Sequence, residues 1–220
     1  MTFTPEDVAA GQAIYTQNLL SVYDLLVLGV SNRFIWKCPT PRLLAHYDRH
    51  ISANHLDVGV GTGYFLDRCF FPAPEPRVAL MDMNPNALDF AARRIARYKP
   101  ETHVRNVLDD IPFDGERFDS VGVNYLLHCL PGDMVAKARC FDSLAPLMKP
   151  GAIIFGATLL QGGVERSAPA RALMNFYNAK GVFSNTRDDL DTLRRELKER
   201  FADVSIEVVG CGALFSGRRR

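Results

Sequence analysis

Hydrophobic and polar positions along the chain alternate between short apolar segments and longer segments with helical spacing. The short segments predict five strands, followed by an antiparallel pair near the end of the chain. These strands are predicted at residues 55–60, 77–83, 102–107, 118–125, 152–159, 204–209 and 213–216. Because helical patterns separate the first five, the sequence predicts an α/β fold whose largely parallel sheet is covered on both faces.

Helix boundaries are indicated by proline, small polar residues and acids. Apolar residues recur at three- and four-residue steps from Leu19 to Val27, and we expect Ser31-Asn32-Arg33 to end that helix. Thr40-Pro41 predicts the N-cap and first position of the next helix. Further helices are predicted at 85–98, 133–148, 170–179 and 188–201, the last with its N-cap in 185–188.

Length, composition and charge restrict the class of protein. A chain of 220 residues fits one domain, and its net charge of +1, from 26 basic and 25 acidic residues, argues against a nucleic-acid partner. No apolar run is long enough to span a bilayer, and the acidic start lacks a signal-peptide layout. The five cysteines are scattered and form no C-x-x-C motif. We therefore expect a cytoplasmic protein with reduced thiols, no membrane partner and no metal site.

The most informative segment is a glycine-rich turn. An apolar strand leads directly into Asp57-Val-Gly59-Val-Gly61-Thr-Gly63, and a helix follows. Glycine permits a sharp turn and a close approach of the backbone to a ligand, because it has no Cβ. In an open parallel sheet such a turn lies where ligands bind.

The spacing of the glycines discriminates between cofactors. A dinucleotide fingerprint requires G-x-G-x-x-G, whereas Tyr64 occupies the third glycine position here and the pattern is D-x-G-x-G-x-G. Adenosylmethionine carries an amino group, a carboxylate and a sulfonium instead of a pyrophosphate. An acid beside an accessible main chain suits these groups better than a phosphate-binding turn does. Asp82, at the end of the second strand, is the expected partner of ribose hydroxyls. NAD-binding proteins also have an acid at this position, so Asp82 does not discriminate between the two ligands.

These residues carry a resemblance to a known family. Asp57-Val-Gly59-Val-Gly61-Thr-Gly63, Leu80-Met-Asp82 and Phe118-Asp119-Ser-Val resemble the motifs of class I S-adenosylmethionine (SAM)-dependent methyltransferases. Over its whole length the chain resembles a family of small bacterial methyltransferases whose substrates are largely unassigned. In that family, too, an N-terminal helical cap carries a segment similar to residues 30–38.

The resemblance implies a fold and a division of the chain. It implies a Rossmann-like seven-stranded sheet of order 3-2-1-4-5-7-6 with strand seven antiparallel. A single domain, 1–220, would comprise a helical cap (1–38) and a SAM-binding core (39–220), with an insertion over the pocket (160–187).

The resemblance also implies the cofactor, SAM, its product S-adenosylhomocysteine (SAH), and the cofactor contacts. Asp57, Gly59 and Gly61 would contact the methionine part, Asp82 the ribose, and Met83 the adenine ring. Asn106 and Val107 stand where the family usually has an Asp for the adenine amine; an Asn oxygen can accept the same bond. The main-chain carbonyl of Asn124 would face the amino group of the ligand.

The acceptor side is predicted from position in the chain. His128 follows the fourth strand, where the acceptor should meet the methyl group, and is the candidate general base and a substrate contact; a histidine of the core is the alternative. The other expected substrate contacts are aromatic residues of the cap and of the insertion, namely Tyr15, Tyr23, Trp36 and Tyr177.

The predicted function is methyl transfer from SAM to an O, N or S atom of a small-molecule metabolite. The cap and insertion would cover the pocket, which favours a small molecule over a nucleic acid. A catalytically silent SAM-binding sensor or partner subunit is the alternative, since ligand contacts do not establish turnover. An NAD-dependent oxidoreductase is disfavoured by Tyr64. The sequence does not indicate the acceptor or the oligomeric state.

Overall fold

The centre of the molecule is a twisted sheet of seven strands. The computed structural model describes residues 24–220, with side chains from residue 28 onward. The strands are β1 (Asn54–Val58), β2 (Arg77–Asp82), β3 (Glu101–Val104), β4 (Phe118–Gly122), β5 (Met148–Leu159), β6 (Phe201–Val209) and β7 (Gly212–Arg219). Their order is β3-β2-β1-β4-β5-β7-β6. The first five are parallel, and β7 is antiparallel to both β5 and β6, so the expected order and the antiparallel strand are confirmed.

Helices connect the strands and cover the sheet. They are α1 (Asp24–Ile35, of the π type), α2 (Thr40–His50), α3 (Tyr64–Arg68), α4 (Pro85–Arg94), α5 (Met134–Lys137), α6 (Arg139–Leu144), α7 (Ala168–Ala179) and α8 (Leu190–Arg200). The segment predicted as one helix after Asp133 is divided into α5, α6 and the 3-10 turn Ala145–Leu147. Among residues 24–220, no helix combines the length and apolar character needed to cross a lipid bilayer.

The two faces of the sheet have separate cores. Along β2, Val78 and Leu80 pack with residues of α2, α3 and α4, whereas Ala79 and Met81 pack on the opposite side with α5, α6 and α8. Strand residues alternate between faces, so an apolar strand covered on both sides must be apolar throughout. This explains why the central strands appear in the sequence as continuous apolar runs.

Three helix boundaries differ from the sequence prediction. α1 continues through Ser31-Asn32-Arg33 to Ile35. The N-cap of α2 is Pro39 and not Thr40, whose hydroxyl bonds to the Asn32 side chain and the Leu28 carbonyl. The N-cap of α8 is Asp189, whose carboxylate accepts from the N–H of Thr192 at 2.9 Å. At α2, the side chain expected to cap the helix is bonded instead to residues of α1.

Candidate functional site

The turn between β1 and α3 uses its three glycines for two different purposes. Gly59, Gly61 and Gly63 all have positive φ, at 72°, 51° and 70°, a conformation that favours glycine. A Cβ on Gly59 would meet Leu126 at 2.7 Å, and one on Gly63 would meet Ala91 of α4 at 3.1 Å. A Cβ on Gly61 would have no described atom within 4 Å. Packing therefore requires the outer two glycines, whereas Gly61 faces open space at the ligand side of the turn.

Most main-chain N–H groups of this turn already have partners in the protein. The N–H of Gly59 donates to Met81 O and that of Gly63 to Val60 O, both at 2.9 Å. The N–H of Val60 donates to the carboxylate of Asp82. A turn of this kind offers few donors to a pyrophosphate, which needs several convergent N–H groups.

Asp57 is a buried carboxylate at the end of β1. It is 4% exposed and accepts a hydrogen bond of 2.9 Å from the hydroxyl of Tyr47. Burial raises the pKa of Asp57 to about 7, although the Tyr47 bond opposes the rise. Tyr47 itself is fixed by stacking on Phe65, with ring centroids 5.0 Å apart. The site therefore contains a carboxylate whose ionised form would be stabilised by a cationic ligand.

Asp82 ends β2 beside the glycine turn. Its carboxylate accepts from the main-chain N–H groups of Asn84, Val60 and Met83, and burial raises its pKa to about 6. Asn84 in turn is the N-cap of α4. Asp82 is thus held in one orientation, and the half-buried Met83 directly follows it.

The two candidate residues after β3, Asn106 and Val107, differ in their burial. The side-chain oxygen of Asn106 accepts from the N–H of Leu108 at 3.1 Å, and Asn106 remains half-buried. The side chain of Val107 is 5% exposed and belongs to the core. Any contact of Val107 with a ligand would therefore involve its main chain.

A cleft of about 490 Å³, partly open to solvent, lies against the carboxyl ends of β1 and β4. Its lining comes from α1, α2, the glycine turn, α3 and the residues after β4. It includes Leu28, Tyr47, Asp57, Gly61, Asn124 and Tyr125. Asp57 is the one charged residue among those described as lining it. The structure thus brings Asp57, Gly59, Gly61 and Asn124 together at one opening.

Tyr125 is held in an unusual backbone conformation beside the cleft. Its φ is 57°, which is uncommon for a residue with a Cβ. Its N–H donates to Ala157 O at 2.7 Å, and its hydroxyl donates to the Asn32 side chain at 3.0 Å. The segment after β4 is therefore fixed both by the sheet and by α1.

His128 lies behind Tyr125 and is almost completely buried. It is 3% exposed, and its ring packs against Phe183 with centroids 4.6 Å apart. Its Nδ1 accepts from the main-chain N–H of Leu159 at 3.3 Å, so the neutral ring carries its proton on Nε2. Burial and the charge of Lys137 lower its pKa to about 3. This geometry does not support the general-base role expected for His128.

The remaining candidates for the acceptor side are in different environments. Trp36 is 1% exposed and packs in the core, so it offers no surface to a substrate. Tyr177 is half-buried, with its ring 4.9 Å from that of Phe183. Tyr15 and Tyr23 lie outside the described residues.

Tyr47 and Leu28 also line the cleft, although the sequence alone did not indicate either of them as part of the site. Tyr47 lies within an amphipathic helix, where an apolar position normally indicates packing alone. A single sequence contains no signal that pairs its hydroxyl with Asp57.

Comparison with known proteins gives a consistent result. Residues 56–154 match the family described as a methyltransferase domain. Demethylluteothin O-methyltransferase of Streptomyces thioluteus is 40% identical over 206 residues, which are 94% of this chain and 90% of that protein. The physcion biosynthesis cluster O-methyltransferase of Aspergillus chevalieri is 36% identical over 211 residues, 95% of each chain. The DhpI–SAH complex shares the fold, with a TM-score of 0.68, 17% identity and 98% of each chain covered. The chain therefore belongs to the class I SAM-dependent methyltransferases.

Proposed function

We propose that this methyltransferase uses SAM as its donor and transfers the methyl group to a hydroxyl oxygen of a small molecule. The observation that carries the donor assignment is the buried carboxylate of Asp57 beside the open space at Gly61. The oxygen assignment is supported by the relatives named O-methyltransferases.

The residues around the cleft fit the parts of SAM. Asp57 provides a carboxylate for the ammonium group, and Asp82 can accept two hydrogen bonds from a ribose diol. The half-buried Met83 would lie against the adenine, with Asn106 and the main chain of Val107 near its edge. NAD fits less well, because three N–H groups of the turn are committed within the fold.

The chemistry requires alignment more than acid–base assistance. Bound SAM supplies a methyl group already activated by a sulfonium. Transfer to a hydroxyl would exchange the S–CH₃ bond for an O–CH₃ bond, with SAH as the leaving group and the hydroxyl proton released to bulk solvent. The protein contributes by holding donor and acceptor in line and by excluding water, effects that are worth several kcal/mol. Asp57 and Asp82 fix the donor, and Tyr125 forms a wall of the same cleft.

His128 provides a test of how the proton is removed. Because its Nδ1 accepts from Leu159 N–H, we expect His128→Gln, whose amide oxygen can accept the same bond, to lower kcat by less than about tenfold. The pH profile of kcat should keep its shape. A general base would account for about 10²–10⁴-fold, so a loss of that size with a changed profile would restore the base role. His128→Leu is the control that leaves Leu159 N–H unpaired and should destabilise the fold.

The function is tested by transfer of labelled methyl from SAM to a panel of hydroxylated aromatic and aliphatic compounds. We expect label in at least one ether product, and thermal protection by SAH but not by NAD. SAH protection with no transfer to any acceptor would instead indicate a silent binding protein. Protection by NAD alone would exclude SAM as the donor.

Several expectations from the sequence accompany this proposal. Tyr177 and the cap tyrosines Tyr15 and Tyr23 remain proposed acceptor contacts. The single-domain organisation, the cap of residues 1–38 and the insertion over the pocket also remain proposals. A cytoplasmic location is supported by five unpaired cysteines.

A further inference from the structure

Asn124 has a buried side chain whose polar atoms are unused. The residue is 8% exposed, and neither its Oδ1 nor its Nδ2 has a hydrogen-bond partner within the described part of the chain. Buried polar groups in folded proteins nearly always have partners, and leaving one unpaired is destabilising. The same residue lines the cleft. Its position is therefore better explained by a ligand than by the stability of the fold.

Other buried asparagines of the molecule show the contrast. Asn32 donates to Thr40 and accepts from Tyr125. Asn185 donates to the Leu159 carbonyl at 2.9 Å and accepts from Asn178 at 2.8 Å. Both of these carboxamides join separate elements of the fold. Asn124 joins none in residues 24–220, which distinguishes it from a structural asparagine.

The backbone around Asn124 is rigidly held. The N–H of Val123 donates to Phe155 O at 2.9 Å, and that of Tyr125 to Ala157 O. The positive φ of Tyr125 follows immediately, and the bond from Tyr125 to Asn32 holds it. Backbone in a sparsely populated conformation occurs preferentially at ligand sites. The backbone that carries the carboxamide is therefore fixed at the edge of the cleft.

The charges of the cleft indicate which part of a ligand needs Asn124. The amino-acid end of SAM or SAH has an ammonium and a carboxylate. Asp57 suits the ammonium, but no Lys or Arg is among the described residues that line the cleft. The N–H groups of Gly59, Val60 and Gly63 are already used. With no cationic side chain in this lining, a neutral donor suits the carboxylate, and Asn124 Nδ2 is such a donor.

We propose that the carboxamide of Asn124 binds the amino-acid end of the donor, with Nδ2 donating to its carboxylate and Oδ1 accepting from its ammonium. This inference rests on the proposed use of SAM. It assigns a role to the side chain of Asn124, in addition to the main-chain contact expected from the family. The consequence is selectivity: Asn124 favours SAM and SAH over nucleosides that lack the amino-acid end.

The test compares ligands that differ only at that end. Calorimetry measures the affinity of the parent, Asn124→Leu and Asn124→Asp for SAH, decarboxylated SAH and 5′-methylthioadenosine. We expect Asn124→Leu to weaken SAH by about tenfold and to change 5′-methylthioadenosine by less than about twofold. Asn124→Asp should weaken SAH further, because it places a negative charge against the carboxylate. In both variants, the affinity for decarboxylated SAH should fall by a smaller factor than the affinity for SAH.

The stability of the ligand-free protein provides a matched control. Asn124→Leu should unfold at the same or a higher denaturant concentration than the parent, whereas Asn185→Leu should unfold at a lower one. Unchanged SAH affinity in Asn124→Leu overturns the inference, as does an equal loss for SAH and 5′-methylthioadenosine. If the parent binds neither compound, the proposed donor is wrong, and the inference is lost with it.

Discussion

Replacing Asp57 by asparagine is expected to weaken SAH binding at pH 8 by about 10- to 100-fold. The carboxylate is the one charged group among the described lining residues, and a hydrogen bond between charged partners contributes about 1.5–3 kcal/mol. The substitution keeps the shape of the side chain and leaves an oxygen that can accept from Tyr47. The loss should therefore reflect charge and not distortion. Calorimetry with SAH measures it, and 5′-methylthioadenosine, which lacks the ammonium group, should bind both proteins equally.

The pH dependence of binding gives the same prediction a second measurement. The pKa of Asp57 in the free protein is raised to about 7, and an ammonium ligand binds its ionised form. Binding should therefore release a proton below pH 7, and SAH affinity should rise with pH until about pH 7 and then level off. Asp57→Asn should remove this part of the dependence. An SAH affinity that is equally pH-dependent in parent and variant would contradict the role of Asp57.

Asp57→Asn should stabilise the ligand-free protein, although it weakens the binding of SAH. The pKa of Asp57 in the folded protein is about 7, above its ordinary value of 3.8. Protonation of Asp57 therefore stabilises the folded state fully below about pH 4, and this stabilisation is lost as pH rises through about 7. Asparagine does not ionise. The ligand-free variant should therefore gain free energy of unfolding relative to the parent, and the gain should be larger at pH 8 than at pH 5. Such an exchange of stability for function is typical of binding sites.

The sequence predicted those features that depend on local pattern. The alternation of apolar strands and helices was sufficient for the α/β class, and the antiparallel final pair followed from the turn at Gly210. The alternate positions of Gly59, Gly61 and Gly63 differ from the dinucleotide motif and favoured SAM over a dinucleotide. Each of these features resides in a short contiguous segment, where residue type and backbone geometry are directly linked.

The features that the sequence did not reveal depend on contacts between distant residues. Tyr125 bonds to Asn32, 93 positions earlier, and His128 receives the Leu159 N–H from a neighbouring strand. The second contact favours the neutral tautomer of His128 that carries its proton on Nε2. No local pattern encodes such pairs, because the side chains meet only after the sheet has formed.

The largest effect on stability is expected at a buried ion pair between α5 and the segment before α8. Lys137 and Asp188 have completely buried side chains, with Nζ and Oδ2 2.6 Å apart. Lys137 also donates to the carbonyl of Ser184 at 2.6 Å, and Ser184 N–H donates to His128 O at 2.8 Å. The pair therefore attaches the segment carrying Phe183 to the core behind the cleft.

Lys137→Met should lower the free energy of unfolding by about 3–5 kcal/mol, because Asp188 would remain as an unpaired buried charge. The double variant Lys137→Met/Asp188→Leu should recover most of that loss, since two apolar residues of similar volume remove the charge entirely. Asp188 keeps its main-chain role in both, as its carbonyl accepts from Gln161 and Gly162. Denaturant unfolding measures both values.

Arg218→Met is the control, since its pair with Asp203 is largely exposed and should contribute at most about 1 kcal/mol. If the single and double variants are equally destabilised, then the cost arises from packing and the charge argument is wrong.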